Sequence, residues 1–192
     1  MLTNALLFLV NTVFGLFVVT LLLRFYLQWA RAAYRNPLTQ FLQALTDFMV
    51  KPARRVIPGL WGLDLATLTL AWLLQILELL VVLQIQGRGF GPTAAATLLM
   101  MALLALVLLI KIFLYIIMVA VFAQVICSWF SLAGPMVPVL ESMTRPFLRP
   151  FQRRIPPIGN VDLSPLFLLV VIQLLLMLPV AWLEVSVARL FS

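Results

Sequence analysis

Residues 51–65 read KPARRVIPGLWGLDL and residues 149–163 read RPFQRRIPPIGNVDL, so one basic, proline-punctuated segment ending in Asp-Leu occurs twice, 98 residues apart. The offset extends without gaps on both sides. Asn36-Pro37 meets Gly134-Pro135, Thr46 meets Thr144, Arg55 meets Arg153, Ile57-Pro58 meets Ile155-Pro156 and Gln75 meets Gln173. Upstream the offset becomes 100 and aligns Trp29 with Trp129. Apolar bias alone matches Leu to Leu. It does not match spaced polar and proline positions, so the chain is a tandem duplication.

The segments flanking these loops are apolar. Of 192 residues, 65% are hydrophobic and only 10% charged, with a mean hydropathy of +1.16, which lies outside the usage of soluble domains. A hydrocarbon core of about 30 Å takes roughly 20 helical residues. Windows 5–23, 65–86 and 166–183 meet that length, and window 93–123 exceeds it with Lys111 as its sole charge. No Gly or Pro lies between Thr93 and Ala133, which predicts one long helix there, tilted or protruding. The N-terminus has no basic region ahead of its apolar run, so it reads as a retained membrane helix that keeps Met1.

Each unit thus contributes two crossings, an even number, and both units insert in the same direction as a parallel repeat. The first spans 1–86 with a basic loop at about 31–63, a short turn follows at 87–92, and the second spans 93–192 with a loop at about 131–163. Charge agrees with this division. Ten of the thirteen Lys and Arg are Arg24, Arg31, Arg35, Lys51, Arg54 and Arg55, then Arg145, Arg149, Arg153 and Arg154; Arg88, Lys111 and Arg189 are the rest. The positive-inside rule places both loops in the cytoplasm and both termini outside. The same distribution excludes nucleic acid as the reason for a net charge of +7.

Within the loops, Leu38, Phe41, Leu42, Leu45 and Met49, matched by Met136, Val139, Leu140, Met143 and Phe147, form an apolar stripe at helical spacing. Such a helix lies in the headgroup plane or packs on the chain's own spans, and Pro52 and Pro150 are expected to end it. The fold class is therefore an all-α membrane protein of about four transmembrane helices in two parallel-repeat hairpins, each with a cytoplasmic interfacial amphipathic helix.

Trp, Asn-Pro, Thr, K-P-x-R-R-x-I-P and D-L in this order resemble the YggT family, and R-P-F-Q-R-R-I-P-P-I-G-N-V-D-L-S-P at 149–165 is the most specific stretch. The resemblance covers essentially the whole chain in its duplicated bacterial form. The first copy departs from it where Ala66-Thr67 replaces Ser164-Pro165. What the resemblance implies is a multi-pass membrane protein associated with tolerance of osmotic or envelope stress, and in plastid relatives with assembly work such as maturation of a membrane cytochrome.

The residues themselves single out a loop face: Lys51, Pro52, Arg54, Arg55, Pro58 and Asp64, and in the second copy Arg149, Pro150, Arg153, Arg154, Pro156, Asp162, Ser164 and Pro165. Asp64 and Asp162 stand where a span begins and are expected to cap it, with Ser164 an alternative cap and Pro165 in the first turn. Arg55 with Asp64, and Arg153 and Arg154 with Asp162, make two related candidate sites for anionic lipid headgroups or a protein partner. Inside the membrane, Gln75, Glu78, Lys111 and Gln173 are the polar candidates. Glu78 and Lys111 lie at similar heights, about 20 Å from the loop side, and are placed to pair. Trp29, Trp61 and Trp129 fit interfacial anchoring.

The absence of His, the lone Cys127 and the lack of any C-x-x-C-H argue against a metal, haem or other cofactor. No glycine loop for phosphates and no nucleophile with a visible base argues for an enzyme. Two functions stand: a non-enzymatic membrane assembly or organising factor that recruits lipid or an unidentified protein through its loops, and a small ion or solute transporter or channel subunit acting as a homo-oligomer.

Overall fold

The computed structural model describes residues 1–32, 36–59, 63–87, 94–130, 134–154 and 162–189. In chain order its helices are α1 (Leu2–Trp29), α2 (Pro37–Val56), α3 (Leu65–Ile85), α4 (Ala94–Trp129), α5 (Val137–Gln152), α6 (Ser164–Leu175), a π-helical turn (Leu176–Val180) and α7 (Ala181–Arg189). Four runs are long and apolar enough to cross a membrane: α1, α3, α4 and the continuous stretch Ser164–Val187. Arg35, Trp61, Arg88, Pro156 and most of the expected 87–92 turn lie outside the described residues.

Residues 94–123 of that window belong to one unbroken helix of 36 residues, α4, about 54 Å long and hence longer than a straight crossing of the hydrocarbon core. Outward faces of the spans are apolar: Leu2, Phe8, Leu16, Leu99, Ile110, Val119, Leu166 and Met177 are exposed. In water that surface would be a liability, whereas hydrocarbon is the solvent it suits. The chain is a multi-pass membrane protein.

Inward faces form two clusters. Val18, Leu21 and Leu22 of α1 meet Ala71 of α3, Val50 of α2 and Leu109 of α4. Ile117, Ala120 and Val121 of α4 meet Leu168, Ile172 and Leu176 of the last span and Val139, Met143 and Leu148 of α5, and Tyr26 and Leu27 of α1 enter the same cluster. Tyr26 is the joint between the two units. It is fully buried, its hydroxyl donates to the Met143 carbonyl of α5, and its ring meets Phe113 of α4 edge-on at 5.1 Å.

The loop helices begin as their sequence dictates. Asn36 accepts the Thr39 N–H at 2.8 Å and Pro37 occupies the first turn of α2. The apolar stripe packs on the chain's own spans, rotated slightly from the expected one. Leu42, Thr46 and Val50 are innermost in α2 and Val139, Met143, Thr144 and Leu148 in α5, while Phe41 is 60% exposed. The rotation puts the threonines on the buried line, where each hydroxyl lies within bonding distance of a carbonyl one turn back, Leu42 for Thr46 and Leu140 for Thr144.

Pro52 and Pro150 do not end these helices. Both lie inside them, α2 running on to Val56 and α5 to Gln152. A proline removes one N–H and so one bond four residues back, a loss that a terminal turn tolerates where a central one does not.

Removing the Tyr26 hydroxyl leaves the Met143 carbonyl buried without that donor. Tyr26→Phe is expected to cost about 1–2 kcal/mol and Tyr26→Ala about 3–5 kcal/mol, read as the unfolding free energy of the purified protein in detergent.

Candidate functional site

The repeated loop face forms where the first span of each unit ends, the loop helix lies across it, and the second span begins. In the first copy Arg24, 7% exposed, reaches from α1 to the Thr46 hydroxyl at 2.6 Å and the Asp47 carboxylate at 2.8 Å. Lys51 holds the other Asp47 oxygen at 2.9 Å. Asp64 is 4% exposed and accepts from Arg54 at 2.5 and 3.2 Å, from the Thr67 hydroxyl at 2.5 Å and, as the cap of α3, from the Thr67 N–H. Every carboxylate here has a cation.

The second copy keeps the frame and changes the charges. At the 100-residue offset Arg24 becomes Gln124, which accepts from the Thr144 hydroxyl where Arg24 donates to Thr46. At the 98-residue offset Asp47 becomes Arg145 and Arg54 becomes Gln152. Asp162 is exposed, and it accepts from the Gln152 side-chain amide at 2.9 Å and the Ser164 N–H at 2.9 Å. Among the described residues it has no cationic partner.

Several expectations change accordingly. Asp64 pairs with Arg54 and not with Arg55, which is exposed at the end of α2; Asp162 pairs with an amide and not with Arg153 or Arg154, also exposed. Arg54 is one residue earlier than Arg55 and so points about 100° away from it round α2, and in the second copy that position holds glutamine. Asp162 does receive the first N–H of α6, but Ser164 is the first helical residue, fully buried, and caps nothing with its hydroxyl; Pro165 follows it in the first turn. Lys51, Pro52, Pro58, Arg149 and Pro150 are exposed.

The intramembrane residues also fall differently. Glu78 and Lys111 do not pair. Gln75, 4% exposed, donates to Glu78 at 2.8 Å within α3, and Lys111 meets Glu184 of α7 at 2.6 Å. The window ending at 183 stopped one residue short of that partner. Gln173, the repeat of Gln75, is exposed beside Met118, Val119 and Phe122. Trp29 stacks on Tyr26 at 5.9 Å, Trp129 is 76% exposed, and Cys127 is a half-buried free thiol.

Sequence reading passed over Arg24, Tyr26, Asp47, Gln124 and Gln152, because identity between copies was the signal followed. The informative signal at Arg24/Gln124 and Arg54/Gln152 is substitution at aligned positions.

The carboxylates of this face titrate low. The Lys51 ammonium, aided by Arg24, holds Asp47 below the usual carboxylate range. Burial works to raise Asp64, but Arg54 and Thr67 outweigh it; burial likewise opposes the hydrogen bonds from Ser164 and Gln152 that keep Asp162 low. Among the described residues no group of three or more His, Cys, Asp or Glu is placed to hold a metal ion.

Comparison with known proteins matches the family model CCB3/YggT over residues 3–85 and again over 103–183. A Pseudomonas aeruginosa protein is 33% identical over 179 residues, 92% of this chain and 89% of its own length. The uncharacterized protein in the proC 3′ region of Vibrio alginolyticus is 34% identical over 171 residues, 88% of this chain and 90% of its own. The Escherichia coli K12 protein YggT is 32% identical over 173 residues, 90% of this chain and 87% of its own. No solved structure matches.

Asp64→Ala removes a buried cap and an ion pair and is expected to cost about 2 kcal/mol, whereas Asp162→Ala removes an exposed cap and costs about 1 kcal/mol; thermal melts of both variants check the order.

Depressed folded-state values mean that the three aspartates stabilise the fold above the ordinary carboxylate range and lose that contribution as pH falls through their lower native values. Melting temperature is expected to hold from pH 7 to about 5 and to drop below about pH 4. The drop should be smaller in Asp64→Asn, and an equal drop would contradict the assignment.

Proposed function

The chain belongs to the CCB3/YggT family, and from that premise we propose that it is a non-enzymatic assembly or organising factor of the bacterial inner membrane. Its basic loops face the cytoplasm, its termini face outward, and the loop face recruits a membrane or cytoplasmic protein and contacts lipid. The tolerance of osmotic or envelope stress implied by the family resemblance is then a consequence of a membrane complex matured or held in place.

One observation carries this reading. The polar residues common to both copies concentrate at the loop face, where Thr46 and Thr144 each fix a loop helix to the span before it. A rigid frame with an exposed row of cations suits recruitment. Arg145, Arg149, Arg153 and Arg154 are all exposed and form no ion pair among the described residues. Juxtamembrane cations of this kind are each attracted to an anionic surface by about 1 kcal/mol.

The transporter reading has a specific observation in its favour, the Lys111–Glu184 pair, which lies about 27 Å along α4 from Trp129. The remaining intramembrane polar groups do not continue it. Gln75 and Glu78 bond to each other on α3, and Gln173 sits beside an apolar cavity. Another large cavity is lined by Val19, Leu23, Ile112, Tyr115, Ile116, Val119 and Ala120, and its walls are almost wholly apolar.

Crosslinking in native membranes from positions in both loops is expected to capture a defined protein complex, and charge removal at Arg145, Arg149, Arg153 and Arg154 is expected to abolish both that capture and rescue of stress tolerance in a host lacking its own family member. Capture of self-contacts alone, with rescue intact, would transfer support to the transporter.

A further inference from the structure

Each copy of the loop face encloses a cavity, and three of the eight residues lining one align with residues lining the other. In the first copy Arg24, Gln28 and Arg54 line a space of about 40 Å³, room for little more than a water molecule. In the second, the aligned Gln124, Ser128 and Gln152, with Trp129, Asp162 and Pro165, line about 240 Å³. Two arginines have been replaced by shorter, neutral glutamines, so the second cavity is larger and lacks their cations. The first copy displays what the second lacks, a guanidinium seated on the aspartate that opens the following span.

We infer that this second-copy cavity is a binding site for an organic cation bearing N–H donors, and that the cation is the ammonium group of an ethanolamine phospholipid. Asp162 uses one acceptor position on each oxygen, for Ser164 and Gln152, which leaves lone pairs on both for a primary ammonium with three donors. Charge around the cavity selects a lipid headgroup over a bare amine. Arg145 and Arg149 lie three residues before the cavity residues Leu148 and Gln152 respectively, hence on neighbouring positions of the α5 surface, and supply cations for the phosphate. The cavity sits against the end of a membrane span, and the exposed Phe122, Trp129 and Phe130 beside it on the chain provide apolar surface for the acyl chains. A quaternary choline group cannot donate to Asp162, and an anionic glycerol headgroup offers it no positive charge.

The test is lipid retention by the purified full chain, with native mass spectrometry reading what stays bound from an equimolar mixture of ethanolamine, choline and glycerol phospholipids with the same acyl chains. Ethanolamine lipid is expected to be retained about tenfold over choline lipid, the worth of one charge-assisted hydrogen bond. Gln152→Arg rebuilds the first copy's ion pair, so it is expected to melt no lower than the parent chain while bringing the ratio to about one. Asp162→Asn is the second variant and is expected to do the same without filling the cavity. Equal retention of ethanolamine and choline lipid by the parent chain, a preference that survives in both variants, or glycerol lipid held most tightly regardless of Asp162 would overturn the inference. Because no partner protein is present, such a failure leaves the recruitment reading and its crosslinking test untouched.

Discussion

A single hydroxyl in each unit ties the loop helix to the end of the preceding span. Thr46 and Thr144 have no exposed surface, each donates one turn back along its own helix or to the neighbouring span, and each is joined to the side chain that ends that span, Arg24 or Gln124. Where a helix leaves hydrocarbon for water, its last turns have no packing partners beyond the bilayer, so a specific polar bond is what fixes the angle at which the chain turns. Given that angle, the aspartate that opens the next span falls beneath the helix carrying Arg54 or Gln152, and the loop face takes its shape. Arg24 is tolerated at a buried position only because Asp47 and Thr46 satisfy it.

Duplication followed by exchange of charge accounts for the difference between the copies. The first is closed: Arg24 and Lys51 share Asp47, and Arg54 pairs with Asp64, within the unit. The second retains the threonine bond and the aspartate but holds Arg145 where the first has Asp47, and Gln152 where it has Arg54. Among the described residues the outcome is a surface with unpaired cations beside a carboxylate without a counter-ion. Structural duties are concentrated in one half and accessible chemistry in the other, a division that a duplicated fold permits because one copy suffices to hold the frame.

How much of this the sequence disclosed follows from the kind of signal each feature leaves. Span number, the single long α4 and the tandem repeat were legible, since hydropathy over some 20 residues and identity at fixed spacing are properties of the chain alone. Asp64 as a cap was legible because capping is local. The choice of Arg54 over Arg55 was not, being decided by the reach of one side chain to a partner ten residues on. Nor was the Lys111–Glu184 pair, because it joins residues 73 apart and its partner lay beyond the apolar window. The ends of α2 and α5 were misplaced because proline's penalty depends on whether tertiary contacts continue past it, and in both helices they do, Phe151 packing on the core beyond Pro150.

The π-helical turn at Leu176–Val180 gives the last span a property that its counterpart α3 lacks. Its buried positions run Leu168, Ile172, Leu176, Val180 and on to the half-buried Glu184, in steps of four. In an uninterrupted α-helix sixteen residues accumulate a drift of about 160°, which would turn Glu184 away from α4. The wide turn absorbs about one residue and reduces the drift to about 60°. It acts as a phase correction, and Pro179 within it has no N–H to forfeit where the bonding pattern is already interrupted. A span whose register is reset halfway along can present an aliphatic ridge to its neighbour near the loop and a carboxylate to the same neighbour farther out, so one helix face serves both packing and an ion pair.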